Sequence, residues 1–208
     1  MSYDEYDAAR DEFYEQISQE LYPEHKVQAV EEFTAERLRS FYEKYPSVMR
    51  PAVDALQEGK ALQEKGHFSG AVVFFVSAIE LLLKATLLKP VIYGLVHHDA
   101  LADIIVQHTL GQAGFDRYEG LLADLFSRLA GLDVKAISRD DASSKLLEES
   151  KQLQKLRNRI IHQGAKATEA EAETAHLVAI AIYEKIVKPM LYVLGLTVGE
   201  KGVISPQF

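Results

Sequence analysis

The longest apolar run of the chain extends from Ala71 to Leu88, and it limits the fold more than any other feature. Its first half is rich in β-branched and aromatic residues, but its length and its Leu, Ala, Lys and Glu second half favour a helix over a strand. Glu80 and Lys84 near its middle argue against a membrane span, which needs ~20 almost uninterrupted apolar residues. The run therefore predicts a buried core helix that ends or kinks at Pro90.

Most of the remaining chain also has apolar residues at helical spacing, with few glycines and prolines between them. We predict an all-α fold, with helices at about 2–17, 24–45, 51–65, 99–110, 115–130, 143–162 and 169–194. Asp140 to Ser143 are predicted to start the penultimate helix, and Gly164 to end it in a left-handed conformation. The predicted organisation is an acidic helical N-terminal extension (1–50), a helical bundle (51–196) and a frayed C-terminal tail (197–208).

Charge is distributed unevenly along the chain, whose formal net charge is −8. Residues 1–50 hold twelve acids and six bases, whereas residues 135–159 hold seven bases and four acids. The net negative charge argues against a protein that coats nucleic acid in general, but a polyanion would be drawn to residues 135–159. The chain has no cysteine and no recognisable targeting segment at its start, so we expect a cytoplasmic protein that binds no membrane.

The residues best suited to chemistry lie near the predicted end of the penultimate helix. Arg157 and His162 are separated by four residues, and the first of them is Asn158. At ~100° per residue, Asn158 and His162 share a helix face, so we predict that they form the close pair. Arg157 lies about 140° from His162, and either its long side chain must reach round or the helix must loosen near Gly164. An arginine and a histidine at a helix end also interact favourably with terminal carbonyls, so a purely structural role is the alternative.

Imidazole can take a proton from a ribose 2′-hydroxyl and return one to a leaving 5′-oxygen, which makes His162 a candidate general acid and base. The forked guanidinium of Arg157 suits a phosphate, and Asn158 can orient the imidazole of His162 or contact the phosphate. Lys155 and Arg159 would add electrostatic support. Together these side chains are the catalytic groups that metal-independent cleavage of RNA requires, so we expect neither a metal nor another cofactor.

The string from Leu156 to Gly164, LRNRIIHQG, resembles the Arg-x4-His motif of the HEPN family. The apolar helix that carries Glu80 and Lys84 one turn apart resembles a second recurring stretch of that family, and the resemblance covers about residues 52–195. It implies an up-and-down helical bundle of HEPN type with extra N-terminal helices. It also implies a homodimeric endoribonuclease, with its site at the two-fold interface, acting in toxin–antitoxin, abortive-infection or phage-defence systems.

Several alternatives stay open at this point. Glu80 would pair with Lys84 along their helix or orient Arg157 instead. Some HEPN proteins are non-catalytic, so the rival function is an interaction module that binds a partner protein, such as an antitoxin, or a nucleotide. In a hybrid of the two, the acidic N-terminal helices cover the basic segment of an inactive enzyme. Metal binding is disfavoured because adjacent His97 and His98 would diverge by ~100° on a helix, and His97 and His108 would sit about three turns apart. Glu173 and His176 match only one half of a di-iron motif.

Overall fold

The computed structural model describes residues 35–95, 120, 123–124, 127, 130–140 and 142–207, and most of these residues are helical. The helices predicted at about 2–17 and 99–110, and most of the helix predicted at 115–130, lie outside the described residues. The acidic segment 1–34 and the three histidines His97, His98 and His108 lie outside them as well.

The first described elements are two helices separated by a proline turn. Helix α1 covers residues 35–44, and the turn that follows contains Pro46. Helix α2, Arg50–Glu64, carries Pro51 in its first turn. Backbone N–H groups in the first turn have no helical acceptor, so the absence of an N–H on proline costs no hydrogen bond there. The end of α1 and both ends of α2 agree with the prediction to within one or two residues, and the predicted start of α1 lies outside the described residues.

The long apolar run is helical, as predicted, but it continues through Pro90. Helix α3 covers Phe68–Leu81, a π-helical stretch covers Leu82–Leu88, and helix α4 covers Lys89–Leu95. In the π-helical stretch the Lys89 N–H donates to the carbonyl of Lys84, five residues back. Of the two predicted outcomes at Pro90, an end or a kink, the end is wrong, because the wider turn moves the preceding carbonyls away from the proline ring.

The last helical run of the chain has the same design. Helix α6 covers Glu169–Ile182, a π-helical stretch covers Tyr183–Val187, and helix α7 covers Lys188–Val193 with Pro189 in its first turn. The two π-helical stretches contact each other in the core. Each therefore admits a proline into a buried helix without ending it.

Helix α5 covers Leu146–Gln163, and it begins later than predicted. Its N-cap is Lys145, which makes no side-chain capping bond, so the predicted cap within Asp140 to Ser143 is wrong. Asp140 instead pairs with Lys185. Since Leu146 N–H donates to the carbonyl of Ile137 (2.8 Å), the preceding loop is bonded directly to the start of α5.

Residues 196–206 form a β-hairpin, so the prediction of a frayed tail is wrong. Strand β1, Leu196–Val198, pairs antiparallel with strand β2, Ile204–Pro206. The Ile204 N–H donates to the carbonyl of Pro46 (2.8 Å), which attaches the hairpin to the turn after α1. This small sheet is an addition to a mainly helical fold.

The core is centred on α3, which packs against α2, α5 and α6. Leu38 and Tyr42 of α1 are buried in the same cluster, so the described part of the predicted N-terminal extension is integrated with the bundle. Among the described residues, the helical run Phe68–Tyr93 is long and apolar enough to cross a membrane by length and composition, with a mean hydropathy of 2.1. Within the protein, however, 61% of its most apolar window is buried.

Candidate functional site

Helix α5 carries all three predicted catalytic residues, and its position follows from its apolar stripe. Leu146, Leu153 and Leu156 are buried on the side that faces α3 and α6. The helix ends at Gly164, whose φ of 66° and ψ of 21° are left-handed, as predicted. The opposite side of its last three turns is therefore exposed to solvent.

Arg157 lies at the edge of the buried side, and its side chain turns back toward the surface. Its Nη1 donates to Oδ1 of Asn158 (3.2 Å). Its Nε is buried and has no hydrogen-bond partner in the part of the chain that the structure describes. The guanidinium is thus held by its packing and by one bond to Asn158, and a buried N–H without an acceptor remains on it.

Asn158 and His162 are both exposed on the outer side of α5. The predicted close pair of these two residues is replaced by the bond between Arg157 and Asn158, so the side-chain oxygen of Asn158 is already engaged. Within the described ranges, no hydrogen bond or ion pair of the His162 imidazole is found. The ring is therefore accessible on an open helix face.

Glu80 contacts α5 about one turn before Arg157, the residue that it was expected to orient. Its Oε1 accepts a hydrogen bond from Nε2 of Gln154 (2.9 Å), and the pair is partly buried. Since Gln154 precedes Arg157 by three residues, Glu80 fixes the position of α5 on α3 and acts on the site only through the helix. Lys84 lies in the π-helical stretch and is half-buried.

The two supporting cations flank the site on different sides. Lys155 is exposed on the same outer side as Asn158 and His162, as the helical spacing requires. Arg159 instead lines a groove of about 330 Å³ between α5 and α6, together with Glu149 and Glu171. Lys155 is therefore the cation better placed to act beside His162.

The half di-iron motif on α6 is used for packing. Glu173 Oε2 accepts a hydrogen bond from Nε2 of Gln63 (2.6 Å), and the His176 ring stacks on Phe75 with centroids 5.0 Å apart. Among the described residues, no group of three His, Asp or Glu side chains is arranged to hold a metal ion.

The structure also brings together a group of aromatic and basic residues that sequence reasoning did not single out. Rings of Phe41 and Tyr45 lie 4.8 Å apart, and the Tyr93 ring lies 5.2 Å from Phe41. Lys44 Nζ lies 5.2 Å from the Tyr45 centroid, and Lys89 Nζ lies 5.6 Å from that of Tyr93. The local sequence FYEKY was the available signal, but the contribution of α4 is visible only in three dimensions. We name the group the aromatic–cation patch: Arg37, Phe41, Lys44, Tyr45, Lys89 and Tyr93.

No protein-family model, curated protein or solved structure matches this chain. The resemblance to the HEPN family therefore rests on the residues of α3 and α5 themselves, and it stays a prediction.

Proposed function

We propose that this chain is a metal-independent endoribonuclease of HEPN type that acts as a homodimer. The observation that carries the proposal is an exposed His162, with no hydrogen bond of its imidazole among the described residues, five residues after an Arg157 that is bonded to Asn158. These groups lie on the helix that also presents Lys155 to solvent. A general acid and base and a nearby cation thus share one exposed face of α5, and the phosphate-binding fork lies at the edge of the buried side of the same helix.

The proposed reaction needs only proton transfers and charge stabilisation. A neutral imidazole removes the proton of a ribose 2′-hydroxyl, whose oxygen attacks the adjacent phosphorus. The bond to the 5′-oxygen breaks, and this oxygen takes a proton from an imidazolium. The products are a 2′,3′-cyclic phosphate and a free 5′-hydroxyl. DNA is not a substrate for this route because it lacks the 2′-hydroxyl.

Arg157 would stabilise the phosphate as negative charge builds on it. Its Nε is buried and its Nη1 is bonded to Asn158, so little side-chain freedom would be lost on binding. Asn158 is accordingly assigned the role of positioning Arg157.

A dimer is part of the proposal because one chain supplies one histidine at this surface. Two copies related by a two-fold axis would place two copies of His162 and Arg157 in a shared cleft. One imidazole would then act as the base and the other as the acid. The RNA substrate and a second copy are therefore the proposed partners, and an inhibitory antitoxin would be a third partner in a toxin–antitoxin or phage-defence setting.

The direct test is cleavage of a mixed RNA ladder by the purified full-length chain in EDTA. We expect cleavage that leaves cyclic phosphate ends, and we expect the His162→Ala variant to lose it. The matched control is His67→Ala, because His67 is also exposed and makes no side-chain capping bond at the start of α3. Cleavage that survives in His162→Ala, or that His67→Ala lacks equally, would overturn the assignment.

The alternative is a non-catalytic interaction module that binds a partner protein or a nucleotide. It is favoured by one observation, the excess of six negative charges over residues 1–50, since acidic segments recruit basic proteins better than RNA. The same experiment separates the two functions: intact RNA with both the natural chain and His162→Ala would support the module.

A further inference from the structure

A cleft of about 320 Å³ lies between α2, α6 and the C-terminal hairpin, and the proposed function does not involve it. Ligand-binding pockets usually measure ~300–1,000 Å³, so this volume suits a small molecule. No residue of α5 is found among the described residues that line it. We name it the hairpin cleft, and its described walls include Val53, Leu56, Ile180, Tyr183, Val198 and Lys201.

The hairpin is fixed against α2, so the cleft is part of the folded structure. Gly202 packs so closely on α2 that a Cβ atom there would lie 2.7 Å from Cγ2 of Val53. The Ile204 N–H also donates to the carbonyl of Pro46 at 2.8 Å. A ligand would therefore bind without the entropic cost of ordering the walls of the cleft.

The interior of the hairpin cleft is apolar, and one side of it reaches solvent. Met49, Leu82 and Ala179 line the interior and are no more than 5% exposed. Ile180 is 37% exposed in the folded chain, and Lys201 is exposed as well. An apolar tail can therefore enter beside Ile180 and lie against the buried residues.

Among the described lining residues, three have polar side chains: Tyr183, Glu184 and Lys201. The Glu184 carboxylate is paired with Lys188 at 2.7 Å, whereas no hydrogen bond or ion pair of the Lys201 ammonium is found within the described ranges. Burial, and next the charge of Glu184, raise the pKa of Tyr183, so its hydroxyl stays protonated and can donate a hydrogen bond. A monoanion at the mouth of the cleft would thus meet one ammonium and one hydroxyl donor.

The backbone of Lys201 supplies a second, independent observation. In the part of the chain that the structure describes, Lys201 is the one non-glycine residue with a positive φ (54°). This left-handed conformation is strained for lysine but free of strain for glycine. Strained backbone is found where a functional side chain must be held in place, so the position favours a role for the ammonium.

An apolar interior with one unpaired cation at its mouth suits an amphipathic monoanion. We propose that the hairpin cleft binds a medium-chain carboxylate, with its alkyl tail between α2 and α6 and its carboxylate on Lys201 and Tyr183. A dianionic phosphate is less suitable, because the negative charge of Glu184 lies in the same lining. This binding is separate from the proposed cleavage of RNA and needs no residue of α5.

The test is isothermal titration calorimetry of the full natural chain with butanoate, hexanoate, octanoate and decanoate. Each methylene that enters the cleft should lower the Kd about fourfold, the factor that corresponds to burial of one CH₂ group. Binding of octanoate should also show a negative change in heat capacity, which marks apolar burial. No saturable binding of octanoate, or a Kd that does not depend on chain length, would overturn the proposal.

The variant Ile180→Glu should raise the Kd of octanoate about 5- to 30-fold, because it places a carboxylate at the mouth and removes an apolar contact. The matched control is Leu177→Glu. Leu177 is 38% exposed on the same helix, one turn from Ile180, and does not line the cleft. An equal rise of the Kd in Leu177→Glu would refute the location of the site.

The variant Lys201→Gln should raise the Kd of octanoate about 2- to 5-fold and leave the binding of uncharged 1-octanol unchanged. Lys65→Gln, which alters an exposed lysine outside the cleft, is the matched control. Lys201→Gly should bind octanoate as weakly as Lys201→Gln although its fold is more stable, a combination that a purely structural lysine would not produce. Unchanged binding of octanoate in both Lys201 variants would refute the role of the ammonium.

Sedimentation velocity of the same variants tests another occupant of the cleft, a second copy of the chain. If octanoate does not bind and Ile180→Glu, but not Leu177→Glu, converts a dimer into monomers, the cleft is a contact between copies and the proposal is wrong.

Discussion

Replacement of Tyr42 by phenylalanine removes one buried hydroxyl and keeps the ring. Tyr42 is 2% exposed, and its hydroxyl donates to the carbonyl of Thr86 at 2.6 Å. Four residues later, Pro90 has no N–H, so the ordinary helical bond to the Thr86 carbonyl is impossible. The Tyr42 hydroxyl is therefore a donor to a carbonyl that the proline deprives of its usual partner.

We expect the Tyr42→Phe variant to lose about 1–3 kcal/mol in free energy of unfolding. A neutral hydrogen bond contributes about 0.5–1.5 kcal/mol to stability. The buried carbonyl of Thr86 would be left without this donor, which raises the expected loss toward about 3 kcal/mol. Thr86 has no exposed surface, so water cannot replace the hydroxyl. Urea unfolding measures the loss, which in thermal unfolding corresponds to roughly 2–4 °C of Tm for each kcal/mol.

The same variant carries a pH test. Burial raises the pKa of Tyr42 well above its usual range, whereas an unfolded tyrosine ionises near pH ~10. The contribution of Tyr42 is thus fully present below pH ~10 and falls as the pH rises and the unfolded chain loses its proton. At pH 11 the difference between the natural chain and Tyr42→Phe should shrink by about 1.4 kcal/mol from its value at pH 8.

The control for this prediction is Tyr192→Phe, because Tyr192 is 69% exposed. It should change the free energy of unfolding by no more than about 0.5 kcal/mol at either pH. If Tyr42→Phe is as stable as the natural chain at pH 8, or if the difference between them does not depend on pH, the role assigned to the Tyr42 hydroxyl is refuted.

Two further substitutions test how the loops are attached to the bundle. Arg139→Met should lower the free energy of unfolding by about 3–5 kcal/mol, since the Glu149 side chain is only 8% exposed and would lose its bidentate partner at 2.9–3.0 Å. Urea unfolding measures this loss, with Arg50→Met as the control because Arg50 is exposed. A loss below about 1 kcal/mol would contradict the prediction. Lys201→Gly should raise stability by roughly 1 kcal/mol, because Lys201 has a left-handed φ of 54° in the hairpin turn; an unchanged or lower Tm would argue against that strain.

Local patterns were sufficient for much of the fold. The spacing of apolar residues predicted α2, α3, α5 and α6, because burial of one stripe requires a repeat that the sequence shows directly. The left-handed end of α5 at Gly164 was also predictable, since glycine adopts that conformation without strain. The start of α5 was missed because Asp140 forms an ion pair with Lys185, 45 residues away, which no local capping rule includes.

For the candidate site, the sequence supplied the residues and the tertiary structure supplied their surroundings. Asn158 was predicted to pair with His162 from their spacing, but it accepts from Arg157 because the side chain of that arginine, whose Nε is buried, brings its Nη1 to the neighbouring amide. Glu80 was considered as an orienter of Arg157, and its Oε1 accepts from Gln154, since the docking of α5 on α3 decides which side chains meet. Whether these groups cleave RNA stays a prediction.

The sequence by itself determined the helical class, the identity of the candidate catalytic residues and their order along α5, because helical periodicity is a local property. Only the tertiary structure decided three other features: continuation of two helices through Pro90 and Pro189, the attachment of the C-terminal hairpin, and the meeting of Tyr45 with Tyr93. Each of these depends on contacts between segments far apart in the chain, and the energy of such contacts is set by packing that no local pattern encodes.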